Sequence, residues 1–183
     1  MSLSTKAADT MTTNPKADVT TYLFEDDGSI PNNSTLPLLV FTQALEEISD
    51  FEKHFRDRLA KNRWGGTWVN SVYPYHHFHS TAHEVLCVLR GGAEIMFGGK
   101  NGVAILVQPG DVVVIPAGVG HCNLSSGEDF KVLGAYPEGQ TWDLCTGKPE
   151  ERPQVLDNIR RVPLPQTDPI FGSSGPLMVH WKA

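Results

Sequence analysis

Between residues 67 and 136 the chain alternates short apolar runs with turn residues. Runs at 67–73, 76–79, 84–90, 93–97, 103–108, 111–115, 121–124 and 131–136 are separated by Gly91-Gly92, Gly98-Gly99, Pro109-Gly110, Pro116-Ala117-Gly118 and Ser125-Ser126-Gly127. Short runs punctuated in this way predict strands joined by tight turns. Many short strands at close spacing indicate a sandwich or a jelly roll. The absence of crossover helices among them argues against a parallel α/β sheet. Stretches 84–89 and 112–115 are apolar on both alternating faces. Such strands are covered on both sides, by a barrel interior and by a second layer or another subunit.

Upstream the period changes. Residues 36–41 predict a first strand, and 24–33 is turn chemistry around a short apolar centre. Leu45, Ile48, Phe51, Phe55 and Leu59 follow three- and four-residue steps and predict a helix ended by Gly65-Gly66. A Phe/Leu stripe at this spacing reads as core packing rather than as a cofactor box. The expected organisation is a flexible arm at 1–20, a strand and helix packing on the barrel at 21–66, the barrel at 67–138, and an extended tail at 139–183 wrapping the same domain.

Composition narrows the class. The chain has 183 residues, 20% charged and 40% hydrophobic, with a formal net charge of −6. That length suits one domain with a real core. A mildly acidic surface does not favour a phosphate backbone, so no nucleic-acid partner is expected. Residues 1–20 lack a continuous apolar segment and no run reaches the length of a membrane span, so no membrane partner is expected and the cytoplasm is the expected location. Cys87, Cys122 and Cys145 are odd in number and lack CxxC spacing, which fits reduced thiols. Cys87 and Cys122 lie within strands, whereas Cys145 is expected to be more exposed.

The chemistry concentrates in Tyr75-His76-His77-Phe78-His79-Ser80-Thr81-Ala82-His83-Glu84, where four of seven histidines fall within eight residues. Imidazoles and a carboxylate together suit Fe, Zn, Ni or Mn. His77 and His79 are two apart and share a face on a strand. Glu84 joins them only if a turn at residues 80–82 resets the phase; otherwise His83 is the in-phase donor. Downstream, Pro109-Gly110 and Pro116-Ala117-Gly118 bracket a buried strand, and His121 follows the second turn. The structural alternative is a set of satisfied histidines without a metal.

These two segments resemble the paired signature of the cupin superfamily. The first motif, H-x-H, four residues, E, six residues, G, falls on His77, His79, Glu84 and Gly91. The second, G, five residues, P-x-G, two residues, H, falls on Gly110, Pro116, Gly118 and His121. Ser71 and Ser125 stand where the motifs often carry Gly and Asn. Both are turn or packing positions and leave the metal assignment intact. Stretches 24–33, 79–86, 116–121, 134–139 and 143–153 look like the YjlB-like bacterial cupins. The resemblance implies an all-β fold, the cupin double-stranded β-helix, with one N-terminal helix and an extended C-terminal tail. It also implies one divalent transition metal on His77, His79, Glu84 and His121, and a homodimer. It carries no reaction. His76 and His83 are left as surface or supporting residues.

Two classes of function follow. One is an enzyme on a small-molecule ligand, with a metal-dependent dioxygenase as its leading form and an isomerase as the variant; the isomerase needs an acid or base, for which Tyr73 and Tyr75 are nearest in sequence. The other is a non-catalytic cupin that binds a small molecule or metal.

Overall fold

The computed structural model describes residues 18–45 and 51–182. Among these, nine strands form two antiparallel sheets. They are β1 Asp18–Phe24, β2 Asn33–Thr42, β3 Trp64–Asn70, β4 Glu84–Arg90, β5 Ala93–Phe97, β6 Val103–Val107, β7 Val112–Ile115, β8 His121–Ser126 and β9 Lys131–Pro137. The larger sheet runs β1-β2-β7-β4-β9-β3 and the smaller β6-β5-β8. Helices α1 Phe51–Lys61, α2 Gln154–Arg161 and α3 Pro176–His180 lie outside them. The all-β jelly-roll expectation stands. No helix among the described residues is long and apolar enough to cross a membrane.

Alternation along the central strands sorts their side chains into two cores. Leu86 and Val88 of β4, Val113 and Ile115 of β7, and Val132 of β9 face inward to meet Ile95 and Phe97 of the smaller sheet. Val85 and Cys87, Val112 and Val114, and Leu133 and Ala135 face outward. The outward face is covered by Phe55 and Leu59 of α1 and by Ile170, Leu177 and Trp181 of the tail. The second layer that the two-faced apolar strands demanded is therefore the chain's own helix and tail.

Several boundaries differ from those expected. Residues 1–17 lie outside the described residues, but 18–20 open β1, which pairs along β2 from Asp18↔Thr42 to Tyr22↔Leu38. This strand replaces part of the expected arm because β2 offers it a free sheet edge. Of the expected helical stripe, Leu45 is not helical but lies in a β-bridge, buried in the outer core, Ile48 lies outside the described residues, and Phe55 and Leu59 of α1 are fully buried. Arg56 pairs with Glu52 one turn earlier on the opposite face. Gly65-Gly66 does not end this helix. Asn62 and Arg63 do, the latter with φ 62, and both glycines belong to β3, where the register slips between Gly65 and Trp68. The barrel sheet thus begins before residue 67 and includes β1 and β2. The tail is not purely extended, since it carries α2 and α3. Its turn before α3 is tied by buried Asp168, whose carboxylate accepts from the backbone N–H groups of Ile170, Phe171 and Leu177.

Candidate metal centre

The stretch 76–79 was expected to be a strand. Its backbone instead divides its hydrogen bonds between two partners. His77 exchanges both with His121, N–H to carbonyl at 3.1 and 2.9 Å. Phe78 exchanges both with Cys145 of the tail, at 2.9 and 3.0 Å. The Gly118 N–H donates to the His79 carbonyl at 2.8 Å. One histidine stretch is therefore stitched directly to the turn that presents the other histidine. Gly118 is needed there: its φ is +93°, and a Cβ would come within 2.4 Å of the Asn32 carbonyl oxygen. His77 and His121, opposite each other in this pairing, bring their rings to 4.0 Å between centroids.

His77, His79 and His121 are buried, and each offers a ring nitrogen within 4.8 Å of the others. This group could hold a metal ion. Residues 80–83 form no strand, so the phase resets and Glu84 enters at the head of β4 on the inward face shared with Leu86 and Val88. Its Oε2 lies 3.4 Å from Nε2 of His79 and 3.4 Å from Nε2 of His121.

The backbone sets the tautomers. Nδ1 of His77 faces the Tyr75 carbonyl at 3.0 Å, Nδ1 of His121 faces the Val119 carbonyl at 3.3 Å, and Nδ1 of His79 meets the Asp143 carbonyl. A carbonyl only accepts, so each Nδ1 carries the hydrogen and each Nε2 keeps its lone pair. Metal-binding histidines are oriented in this way. Glu84 Oε2 is buried and has no hydrogen-bond partner among the described residues. An orphaned buried carboxylate oxygen beside free imidazole lone pairs is what a divalent cation would satisfy, and the donor set fits one.

Charge within the cluster is consistent with that fit. Burial pushes Glu84 up, but His79 and then His121 pull its carboxyl well below the usual range, so it stays ionised. Burial opposes protonation of His79, and the Glu84 carboxylate nevertheless raises it. His77 is lowered to about 3, mainly by burial and then by His121.

The family model described as Cupin matches residues 70–136. YjlB of Bacillus subtilis (strain 168) is 49% identical over 161 residues, 88% of this chain and 95% of YjlB. The chain belongs to the YjlB-like cupins. Among solved structures, procruciferin, an 11S globulin from Brassica napus, aligns with a TM-score of 0.36 at 17% identity. That match covers 79% of this chain, which spans about a third of the globulin, 33%. Acireductone dioxygenase from Bacillus anthracis, with a cadmium ion in its active centre, aligns with a TM-score of 0.34 at 17% identity over 70% of this chain and 78% of that one.

In this cupin the cluster opens on a cavity of about 220 Å³. Its other walls include Trp68, Val69, Val72, Tyr73, Leu86 and Trp142. Tyr136 also lines it, and sequence reasoning missed that residue. The alternation of β9 held the signal: inward Val132 and outward Leu133 and Ala135 put Gly134 and Tyr136 on the inner face. Gly134 leaves room for Trp68, whose ring a Cβ there would meet at 2.2 Å. The Trp68 indole N–H then donates to the Tyr136 hydroxyl at 2.9 Å. Burial and next the Glu84 charge raise the Tyr136 phenol far above its ordinary range. Of the phenols nearest in sequence, Tyr73 lines the cavity and sets its ring on the edge of His77, whereas Tyr75 stands outside and is 43% exposed.

The tail contributes more than a cover. The Asp143 carboxylate accepts from the N–H groups of Ser80 and Thr81 at 2.6 and 3.2 Å and from the Ser80 hydroxyl. Its own carbonyl meets His79. Trp142, one residue earlier, stacks on Tyr136 and faces the His79 ring at 5.6 Å. Cys145, expected to be exposed, is buried, and its thiol is pushed up to about 12 by burial and by Asp143. It stays a thiol and is no nucleophile. Cys87 packs in the outer core. His83 points away from the cluster, onto Trp181 at 4.7 Å. Its Nδ1 accepts from the Ala117 N–H at 3.0 Å. His76 also lies outside the three-histidine group.

Proposed function

We propose that this cupin is a metal-dependent enzyme on a small molecule, with dioxygenase chemistry as its leading activity and His77, His79, Glu84 and His121 as the ligands. One observation carries the reading: three buried imidazoles with donor atoms within 4.8 Å of one another, and a Glu84 carboxylate 3.4 Å from two of them, line one cavity whose remaining walls are mostly aromatic and aliphatic. A divalent Fe, Zn, Ni or Mn ion held there would supply Lewis-acid polarisation of a substrate oxygen and, for iron, redox chemistry with O₂. The chain's own residues do the rest. Carbonyls of Tyr75, Val119 and Asp143 hold the three imidazoles in register. Trp68, Val72 and Trp142 exclude bulk water from the donors. Tyr136 keeps its proton and offers a hydrogen bond to a substrate oxygen.

The isomerase reading is favoured by that same phenol, a buried proton donor beside the cluster. An oxygen electrode separates the two. With Fe(II)-loaded protein, uptake on catechols, diketones or thiols that vanishes in His121→Ala supports the dioxygenase. If no metal state consumes O₂ with any of them, that reading falls. Solvent deuterium entering a ketone only when Tyr136 is intact then identifies the isomerase, and ligand binding without either reaction identifies a binding protein. A cytoplasmic homodimer completes the proposal. Leu106, 80% exposed on β6, and Leu124 on β8 give the smaller sheet apolar surface for a second copy, which light scattering tests.

A further inference from the structure

We propose that Trp68 is a positioning residue: its indole holds the hydroxyl hydrogen of Tyr136 toward the metal cluster, where a ligand on the ion accepts it. This inference rests on the proposed function above and extends it to a residue outside the donor set.

The direction of one hydrogen bond carries the argument. The Trp68 indole nitrogen lies 2.9 Å from the Tyr136 hydroxyl oxygen. An indole N–H donates and never accepts, so the phenol oxygen is the acceptor. Beside most polar groups a hydroxyl turns to suit either role; beside this one a single role is left. The indole fills one lone-pair direction of the oxygen, and the phenol's own hydrogen is turned away from Trp68. It is turned toward the cluster. The Tyr136 ring stands edge-on to the His79 ring at 6.0 Å between centroids, and Glu84 is the carboxylate whose charge and hydrogen bonding the phenol feels.

The backbone is built around this contact. Trp68 and Gly134 are opposite each other in the pairing of β3 with β9. A Cβ on Gly134 would lie 2.2 Å from two ring carbons of Trp68 and 2.6 Å from its nitrogen. With glycine there, the indole lies close against β9 and reaches Tyr136, two residues along on the same face. Glycine inside a strand weakens it and marks a close approach. β9 is such a strand, paired on both sides by β4 and β3. Trp142 stacks on the Tyr136 ring at 6.0 Å with an interplanar angle of 21°, and Tyr136 is 4% exposed. The ring is clamped, and rotation of the hydroxyl is the freedom it keeps. The Trp68 N–H removes that freedom.

A wall against water needs only a large apolar ring at position 68. The N–H is what a wall does not need. A donor already aimed at the site loses nothing in reorganisation when a ligand arrives, so its hydrogen bond is stronger than one from a free rotor.

The test is a double-mutant cycle on Co(II)-loaded protein with sodium azide, an anionic acceptor whose arrival on the ion changes the visible spectrum. Urea unfolding and cobalt content are measured first. Tyr136→Phe should weaken azide about tenfold, and Trp68→Phe, which keeps a ring in the wall, about fivefold. In the Tyr136→Phe background, Trp68→Phe should have no further effect, because it acts through the phenol. Cobalt affinity in chelator competition should be the same in all four proteins. Benzothienylalanine at position 68, which exchanges the N–H for sulfur at nearly constant shape, should reproduce Trp68→Phe.

Azide affinity untouched by Trp68→Phe, or lowered equally with and without Tyr136, would overturn the inference and leave Trp68 a wall. A fall in cobalt affinity in place of azide affinity would assign the phenol's hydrogen to Glu84 and overturn it too. Protein that holds cobalt but takes no azide has no open position on the ion and sinks the proposed function as well. Protein that holds no cobalt sinks the metal-centre reading beneath both.

Discussion

His83 and Glu84 are neighbours at the head of β4, yet they belong to different worlds. Glu84 looks into the barrel and meets the imidazoles of His79 and His121; His83 looks outward and lies against Trp181. Burial alone does not separate the two faces. It lowers inward His77 and outward His83 alike, each to about 3. What separates them is the hydrogen bond on Nδ1. At His77, His79 and His121 a carbonyl takes the Nδ1 hydrogen and frees Nε2. At His83 the Ala117 N–H donates to Nδ1, so the ring hydrogen sits on Nε2 and no lone pair is left for a metal. The lesson is that the backbone partner, more than residue type or burial, decides which histidine can be a ligand.

The outer face should give the largest effect. Trp181 is 3% exposed and its indole donates to the Pro37 carbonyl at 2.7 Å. Trp181→Ala should cost about 3–5 kcal/mol in urea unfolding, with metal affinity of the folded protein unchanged. A parallel loss of metal affinity would erase the distinction between the faces. On the inner face, His121→Ala should weaken Zn(II) binding by at least about 100-fold in chelator competition, more than the loss of a supporting residue usually costs. His83→Ala should leave that affinity alone, and the reverse result would move the site to the outward face.

A smaller effect probes the tail's hold on the inner face. Asp143→Ala frees the turn at Ser80 and Thr81 and loosens His79 without removing a donor. Zn(II) affinity should fall about 10-fold, the low end for such supporting groups, and a shift in the Co(II) absorption spectrum should accompany it. An unchanged spectrum would make Asp143 a loop tether only.

The smallest effect is a pH slope. The folded value of His83 lies below its ordinary 6.5, so between about 3 and 6.5 the unfolded chain binds the extra proton. Its contribution to stability is therefore complete above pH 6.5 and is lost as pH falls toward 3. His83→Asn keeps an acceptor for Ala117 but cannot titrate. Its stability should decline less steeply than the parent's across this window in denaturant titrations. An identical slope would show that His83 is not buried as described.

The inner face was largely legible in the sequence. Spacing picked out His77 and His79, the resemblance to the cupin motifs added Glu84 and His121, and the bounds of β4 and β5 fall where the alternation ended. The choice between Glu84 and His83 could not be read, because it depends on how residues 80–82 turn. That turn is fixed by Asp143, more than sixty positions away in the tail. Trp142 and Asp143 sit in a proline-bearing segment without periodicity, so nothing local marked them. β1 was read as part of an arm and a turn because its residues are mostly exposed and polar, and its order comes from the edge of β2. Gly65-Gly66 looked like a helix stop, a reading that local chemistry supports and the β3–β9 pairing overrides.

Anomalous diffraction from crystals of the Zn(II)-loaded protein tests the central claim most directly. The account predicts one strong peak about 2.0–2.2 Å from Nε2 of His77, His79 and His121 and from a Glu84 oxygen. A peak beside His83 or His76, or density that leaves Glu84 unengaged, would contradict it.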